Sequence, residues 1–124
     1  MLDKASLVWA IQFIQKHSDG DLFPPILEFN ALLEKSDALA DKLISVDLTQ
    51  LETGAHRRFI VPKDELSYLQ ATQLDPQDSI LLSAIIYQYG VLIEQRRLPN
   101  NVVFSYRFNP NIEHGFYDDR AAWN

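Results

Sequence analysis

The apolar residues near the N-terminus recur at the spacing of an amphipathic helix. Leu7, Ile11 and Ile14 fall on one side when residues 3–17 are wound into a helix, because positions three and four apart share a face. A turn-forming sequence follows at 17–20. The pattern therefore predicts a first helix over 3–17.

Two further helices are predicted in the acidic stretch that follows. Pro25 suits the first turn of a helix over about 25–35, since proline loses no hydrogen bond at that position. Ser36 can cap a third helix through its hydroxyl, and residues 47–55 are predicted to form a loop. The apolar side of the third helix is predicted to consist of Leu39, Leu43 and Val46.

The pattern then changes from helical to β. Residues 57–61 are rich in β-prone side chains, and Pro62 ends that run. Residues 64–67 predict a turn and residues 68–74 a returning strand, although apolar and polar residues alternate poorly in it. The predicted structure is an antiparallel hairpin.

Residues 76–97 predict the longest helix. Asp75 can serve as its N-cap, Pro76 fits its first position, and Asp78 places a negative charge near the positive end of the helix dipole. Gly90 marks either a weak point or a site of close packing. The apolar set is wide enough to predict burial on more than one side, and it consists of Ile80, Leu81, Ala84, Ile85, Tyr87, Val91 and Leu92.

The C-terminal part predicts less regular structure. Residues 102–108 predict a strand or extended segment, residues 109–115 a polar loop, and residues 118–124 the start of another helix. Together the elements predict one α+β domain that is mostly helical with a small antiparallel β-hairpin.

Composition narrows the class of protein. The chain has 124 residues, of which 47% are hydrophobic, and this is enough for the core of one small domain. The absence of cysteine excludes disulfides, thiolate metal ligands and a cysteine nucleophile. No apolar run approaches the roughly 20 residues that span a membrane, and the N-terminus does not resemble a signal peptide. A cytoplasmic location without a membrane partner is the default expectation.

The charge is unevenly distributed along the chain. The net charge of −6 divides into −5 for residues 1–53 and −1 for residues 54–124. Residues 54–63 contain Arg57, Arg58 and Lys63 but no acid. An acidic chain is a poor free-standing nucleic-acid binder, yet cations beside a short hairpin are well placed to hold phosphates. The alternative reading of this segment is a solvated basic strand.

Other polar residues predict no metal site. His17, His56 and His114 are far apart in the sequence and are expected to be exposed rather than to be ligands. Asp118 and Asp119 allow two readings, since adjacent carboxylates can hold magnesium and can also cap a helix. Helix capping is the favoured one of the two.

Three segments, in their order and spacing, resemble the fingers blocks of bacterial reverse transcriptases. They are Val-Pro-Lys at 61–63, Leu-Asp-Pro-Gln-Asp at 74–78, and Val-Phe-Ser-Tyr-Arg-Phe-Asn-Pro at 103–110. Group II intron and retron enzymes carry a proline–lysine hairpin, a helix that opens around an aspartate, and a Ser-Tyr/Phe-Arg block. The segment Asp-Gly-Asp-Leu-Phe-Pro at 19–24, followed by Glu28, is similar to the defence-associated branch of these enzymes.

The resemblance implies roles for four cations. Lys63 would contact the triphosphate of the incoming nucleotide, and Arg107 would lie at the fingers–palm junction in a template-contacting or structural role. Members of the family usually carry a second basic residue six positions after the lysine, where this chain has Leu69. Either Arg57 or Arg58 substitutes across the hairpin, or the nucleotide grip is weakened. The nucleotide- or nucleic-acid-binding candidates are therefore Lys63, Arg57, Arg58 and Arg107.

The resemblance also implies partners that this chain does not supply. A complete enzyme of the family uses Mg²⁺ held by palm carboxylates, an RNA template, a DNA primer and deoxynucleoside triphosphates. The sequence contains no plausible set of catalytic aspartates, so the chain is expected to be inactive alone, to hold no cofactor itself, and to need a palm-bearing segment or partner chain.

The implied organisation is one domain in three parts. Residues 1–53 form a helical N-terminal part, residues 54–110 carry the fingers blocks, and residues 111–124 begin a connection to the palm. The expected function is that of the fingers portion of an RNA-directed DNA polymerase in antiviral defence. The alternative is a small acidic helical protein-interaction module without catalytic activity.

Overall fold

Helices and two short β-hairpins alternate along the chain. The structure is a computed structural model, and it describes residues 1–17, 27–99, 101–103 and 106–117. Within these ranges the predicted α+β class is confirmed. The elements are α1 (Lys4–His17), α2 (Leu27–Glu34), α3 (Ser36–Leu43), β1 (Arg57–Pro62), β2 (Tyr68–Gln73), α4 (Pro76–Gln95), β3 (Phe108–Asn111) and β4 (Gly115–Tyr117).

The core lies between three helices. α1 packs against α4 and α3, and it also contacts α2. The predicted stripe of α1 is confirmed, because Leu7, Ile11 and Ile14 are all buried. The remaining buried apolar residues in the described part are Leu2, Ala10, Ala40, Leu43, Ile80, Leu81 and Ala84.

The N-terminal residues fix the start of α1 and tie it to α4. The Asp3 carboxylate accepts the Ser6 backbone N–H at 2.7 Å, as an N-cap does, and this bond lowers the pKa of Asp3. The Gln88 side chain accepts the Asp3 N–H at 2.9 Å and donates to the Met1 carbonyl at 3.0 Å. The first three residues of the chain therefore lie across the middle of α4.

The start of α3 differs from the prediction. Ser36 is the first helical residue rather than the cap. Lys35 occupies the cap position with φ −122° and ψ 35° and makes no side-chain capping bond. The reason is that α2 ends at Glu34, one residue earlier, so the chain turns directly from one helix into the next without the extended residue on which a serine cap depends.

The predicted start of α4 is confirmed. The Asp75 carboxylate accepts the Gln77 N–H at 3.0 Å, and Pro76 is the first helical residue. Asp78 does more than favour the helix dipole, because its carboxylate accepts the Gly54 N–H at 2.7 Å and holds the preceding loop against the helix. The helix ends at Gln95, two residues before the predicted end.

α4 is buried over a wide arc, and one apolar side remains exposed. Ile80, Leu81 and Ala84 lie in the core. Gly90 is also buried, beneath Phe108 and about 180° around the helix from Leu81, so the prediction of burial on more than one side is confirmed in the described part of the chain. Of the predicted apolar set, Val91 and Leu92 are 50% and 55% exposed, and one further side of the helix faces outward. This outer face consists of Leu82, Ile86, Tyr89 and Ile93, which are 47%, 36%, 36% and 63% exposed.

An aromatic layer joins the helices to the second hairpin. Trp9 stacks on Tyr87 with ring centroids 4.4 Å apart and on Phe13 at 5.1 Å. Phe116 of β4 contacts both Trp9 and Phe13. The layer positions the second hairpin across the α1–α4 pair.

Gly90 is a site of close packing, which was one of its two predicted roles. A Cβ atom at this position would lie 2.4 Å from Cζ of Phe108. The ring of β3 therefore rests directly on the backbone of α4, where only glycine leaves room for it.

Residues 102–103 and 106–115 depart from the prediction for this part of the chain. Val102 lies in a turn, and its N–H donates to the Pro99 carbonyl at 2.9 Å. The strand begins at Phe108, where the predicted strand ended. The segment predicted as a polar loop instead forms β3 and β4, which pair antiparallel with an irregular register. Pro110 fits because an edge strand leaves half of its N–H positions unpaired, and Gly115 adopts a φ of 86°.

Several predictions concern residues outside the described ranges. These are Pro25 as the first turn of the second helix, the Asp-Gly-Asp-Leu-Phe-Pro segment at 19–24, residues 104–105 of the Ser-Tyr-Arg block, and the helix start with Asp118 and Asp119 at 118–124.

Candidate nucleic-acid interface

The first hairpin stands apart from the helical core. β1 and β2 pair antiparallel, with Arg57 opposite Gln73 and Pro62 opposite Tyr68. Among the described elements, neither strand makes a substantial contact with any helix or with the second hairpin. The predicted hairpin is confirmed.

The two faces of the hairpin differ in exposure. Directly paired residues point to the same side of an antiparallel ribbon. One face carries the half-buried Phe59, Val61 and Ala71. The other face is fully exposed and carries Arg58, Ile60 and Pro62 from β1 with Tyr68, Gln70 and Thr72 from β2.

An aspartate holds the tip of the hairpin in shape. The Asp64 carboxylate accepts the N–H groups of Leu66 at 2.9 Å and Ser67 at 2.8 Å. Hydrogen bonds from the Ser67 side chain and from the Leu66 backbone lower the pKa of Asp64. The Lys63 N–H donates to the Ser67 carbonyl at 3.0 Å and closes the loop. The acid beside Lys63 is thus used by the turn itself.

The predicted cations occupy the two ends of β1. Arg57 and Arg58 begin the strand at the base of the hairpin, and Lys63 follows its last residue at the tip. At about 3.4 Å per residue, Lys63 lies roughly 17–20 Å from the two arginines. All three residues are exposed. They form a line of positive charge along the hairpin rather than one cluster.

The base of the hairpin borders a cavity of about 240 Å³. Arg57 and Gln73 line it from the strands, and Asp75 and Gln77 line it from the start of α4. The Gln73 Oε1 atom is buried there without a hydrogen-bond partner in the described part of the chain. Arg58 instead lies on the other face, where its Nε approaches Nε2 of His56 at 3.2 Å.

The register shows which cations share a face with Leu69, the position where the resemblance implies a second basic residue. Leu69 pairs with Val61 and is 52% exposed. Arg57 is on the same face, four residues along β1 from Val61, at about 14 Å. Arg58 is on the opposite face. Of the two arginines proposed to substitute for the missing basic residue, only Arg57 shares the face of Leu69.

Arg107 lies elsewhere, between the end of α4 and the start of β3. One guanidinium nitrogen donates to the Glu94 carboxylate at 2.8 Å and another to the Leu98 carbonyl at 2.7 Å. Its side chain is 20% exposed. The structure therefore does not bring Arg107 together with Lys63, Arg57 and Arg58.

Glu94 is the centre of this second cluster. Its carboxylate also accepts a bond from Arg97 at 2.9 Å and the Phe108 N–H at 3.1 Å. These contacts, with the Arg107 bond as the largest cause, lower the pKa of Glu94 to about 2. Sequence reasoning missed Glu94, although an acid three residues before Arg97 near a helix end is a signal for an ion pair.

The histidines and acids of the described residues make no metal centre. His17 is half-buried, and its Nε2 lies 2.8 Å from the Ile112 carbonyl. His56 and His114 are exposed, as predicted, whereas the half-buried His17 departs from the prediction. No group of three histidine, aspartate or glutamate side chains in the described ranges could hold a metal ion.

The described residues form an α+β domain whose first hairpin carries Arg57, Arg58 and Lys63 together with Asp64 and Glu65 at its tip. Comparison of the chain with protein-family models, curated proteins and solved structures finds no match. None of the helices in the described part is both long and apolar enough to cross a bilayer.

Proposed function

We propose that this chain is the fingers portion of a reverse transcriptase and that its first hairpin contacts the template and the incoming nucleotide. The observation that carries the proposal is the projecting hairpin, whose residues 54–63 hold three cations and no acid. A hairpin that carries cations and projects from an acidic chain suits phosphates. Its distance from the other carboxylates weakens their repulsion of the phosphates.

The exposed face of the hairpin adds a second kind of contact. Arg58 and Tyr68 lie on this face, and Tyr68 is 68% exposed. Aromatic rings beside cations are typical of surfaces that bind single strands, since bases stack on the rings while the cations follow the backbone. In this proposal Lys63 contacts the triphosphate and Arg58 contacts the template strand.

The first experiment measures binding to a template–primer duplex with a single-stranded template overhang. The logarithm of the binding constant is followed against the logarithm of salt concentration for the wild type, Lys63→Gln and Arg58→Gln. Each substitution is expected to weaken binding and to lower the magnitude of the slope by about 1, because one phosphate contact is lost.

A matched control removes an equal charge away from the hairpin. Lys42→Gln on α3 changes the net charge by the same amount at an exposed site and is expected to leave the slope unchanged. Equal effects from Lys42→Gln and the hairpin variants would contradict a specific role of the hairpin. No binding by the wild type at low salt would contradict a nucleic-acid role altogether.

A gain-of-function variant tests the missing basic position. Leu69→Arg places a guanidinium on the exposed strand β2, opposite Val61, and is expected to tighten binding of deoxynucleoside triphosphates. A palm-bearing partner supplied in trans is expected to give primer extension that Lys63→Ala slows. Extension at the full rate with Lys63→Ala would count against the triphosphate contact.

A second candidate function is favoured by a different observation. The outer face of α4, made of Leu82, Ile86, Tyr89 and Ile93, is an exposed apolar stripe. Such a stripe is typical of a helix that binds another protein, which supports the small acidic interaction module.

A further inference from the structure

The outer face of α4 has the spacing of a helix-pairing seam. Leu82, Ile86, Tyr89 and Ile93 are separated by four, three and four residues. Alternating steps of three and four residues keep apolar side chains on one side of a helix and are the pattern by which two helices interlock. The stripe covers about three turns.

The stripe reads the same in both directions. A four–three–four spacing is unchanged when it is reversed, so a second copy running antiparallel presents the same sequence of gaps. In that register Leu82 meets Ile93 of the other copy, and Ile86 meets Tyr89 of the other copy. Contacts that pair residue i with j and j with i are those of a two-fold interface.

The charges of α4 favour the same arrangement. Residues 79–93 contain no Asp, Glu, Lys or Arg, so no charge has to be buried along the seam. Asp78 stands at one end of this segment, and Arg96 and Arg97 follow the other end. An antiparallel copy brings Asp78 near Arg96 of its partner and opposes the two helix dipoles.

We propose that α4 pairs with α4 of a second copy of this chain, antiparallel and across the outer face. The inference rests on the outer face of α4 and not on the nucleic-acid function of the hairpin. Loss of self-association and loss of template binding are therefore separate outcomes of separate variants.

The first test compares two isoleucines with different positions. Sedimentation velocity across a wide range of protein concentration is expected to show a monomer–dimer equilibrium for the wild type. Ile86→Glu is expected to weaken the dimer about a hundredfold, because it buries an unpaired carboxylate in the seam. Ile60→Glu makes the same change on the hairpin, where Ile60 is 72% exposed, and is expected to leave the dimer intact.

The second test fixes the register by cross-linking. The chain has no cysteine, so single-cysteine variants report single contacts. Leu82→Cys mixed with Ile93→Cys is expected to form a disulfide-linked dimer under mild oxidation. Leu82→Cys alone is expected not to, because the two Leu82 positions of an antiparallel pair are about 16 Å apart along the axis.

Three results would overturn the proposal. They are a wild type that stays monomeric at every concentration, an equal loss of dimer from Ile60→Glu and Ile86→Glu, and efficient cross-linking of Leu82→Cys alone, which indicates parallel pairing. Far-UV circular dichroism of each variant verifies that the helices are retained. The cross-linking test does not depend on Ile86→Glu and remains decisive if that variant fails to fold.

Discussion

Gly90 shows how one absent side chain positions a strand. The Phe108 ring lies where a Cβ atom of residue 90 would be, and the same ring faces Phe116 at 6.2 Å. Through this contact the backbone of α4 supports β3 and, beyond it, the aromatic layer around Trp9. The cost of glycine in a helix interior, about 1 kcal/mol relative to alanine, is offset by that packing.

Gly90→Ala is expected to destabilise the fold despite the higher helix propensity of alanine. Overpacking of this kind costs about 1–3 kcal/mol and the propensity gain returns about 1 kcal/mol, so a net loss of about 1 kcal/mol is expected in urea unfolding. Gln95→Ala, at an exposed site of the same helix, is the control. A Gly90→Ala variant as stable as Gln95→Ala would contradict the close packing, and Phe108→Leu is expected to relieve the loss.

Residues with local partners were the ones that the sequence could place. The Asp75 cap was predictable because its bond to Gln77 spans two residues. The prediction that Ser36 caps α3 also concerned neighbouring residues, but it was wrong. The start of α3 depends on where α2 ends, which the residues beside Ser36 do not determine. Arg107 was placed with the hairpin cations by resemblance alone, since its partner Glu94 lies thirteen residues away.

Among elements, the contact between α4 and β3 depends on one carboxylate. Glu94 binds Arg107, Arg97 and the Phe108 N–H together. Its pKa is lowered to about 2 from the usual 4.5. Because the pKa in the folded chain is lower than in the unfolded chain, the stabilisation is complete above about pH 4.5 and is lost as the pH falls towards 2.

Glu94→Gln is expected to lower the thermal midpoint at neutral pH and to remove part of the acid dependence. The difference in midpoint between the wild type and the variant is expected to shrink as the pH falls from about 5 to 2, since the wild-type carboxyl is then protonated as well. Glu65→Gln at the exposed hairpin tip serves as the control. A difference that stays constant over this pH range would show that Glu94 does not act through its charge.

The two hairpins differed in how far the sequence could predict them. β1 and β2 are joined by a five-residue loop at 63–67 whose turn is built from its own Asp64, so the pattern was visible locally. β3 and β4 contain Asn109, Pro110 and Asn111, which disfavour strands. They form because Glu94 and the aromatic layer hold the segment in place, and those partners come from distant parts of the chain.

On the scale of the whole molecule, the first hairpin makes few contacts with the core in the described part of the chain. The buried core in the described part draws on the N-terminal residues, α1, α3 and α4 and contains no residue of β1 or β2. The cations could be predicted from the sequence as one basic segment. Their separation along the hairpin could not, because it depends on which residues form the strand and which form the tip.

Replacement of residues 57–73 by a short glycine–serine linker is expected to leave the core folded. The Cα atoms of the paired residues 57 and 73 are only about 5 Å apart, so the linker closes easily. Helical circular dichroism and the near-ultraviolet aromatic signal are expected to persist, with a change in unfolding free energy of less than about 1 kcal/mol. Leu7→Ala, in the core, is the contrasting variant at about 2–5 kcal/mol, and loss of cooperative unfolding without the hairpin would contradict this division.

The unpaired edge of β2 has a consequence for the behaviour of the protein at high concentration. Within the described residues the sheet ends after two strands, and the six residues of β2, Tyr-Leu-Gln-Ala-Thr-Gln, carry no charge. Two arginines and a proline protect the edge of β1, but β2 has no such gatekeeper and can template strands of other molecules. Fibril formation is thus expected to begin at β2, and a lysine at Gln70 or Thr72 is the substitution that would protect the protein during expression and storage.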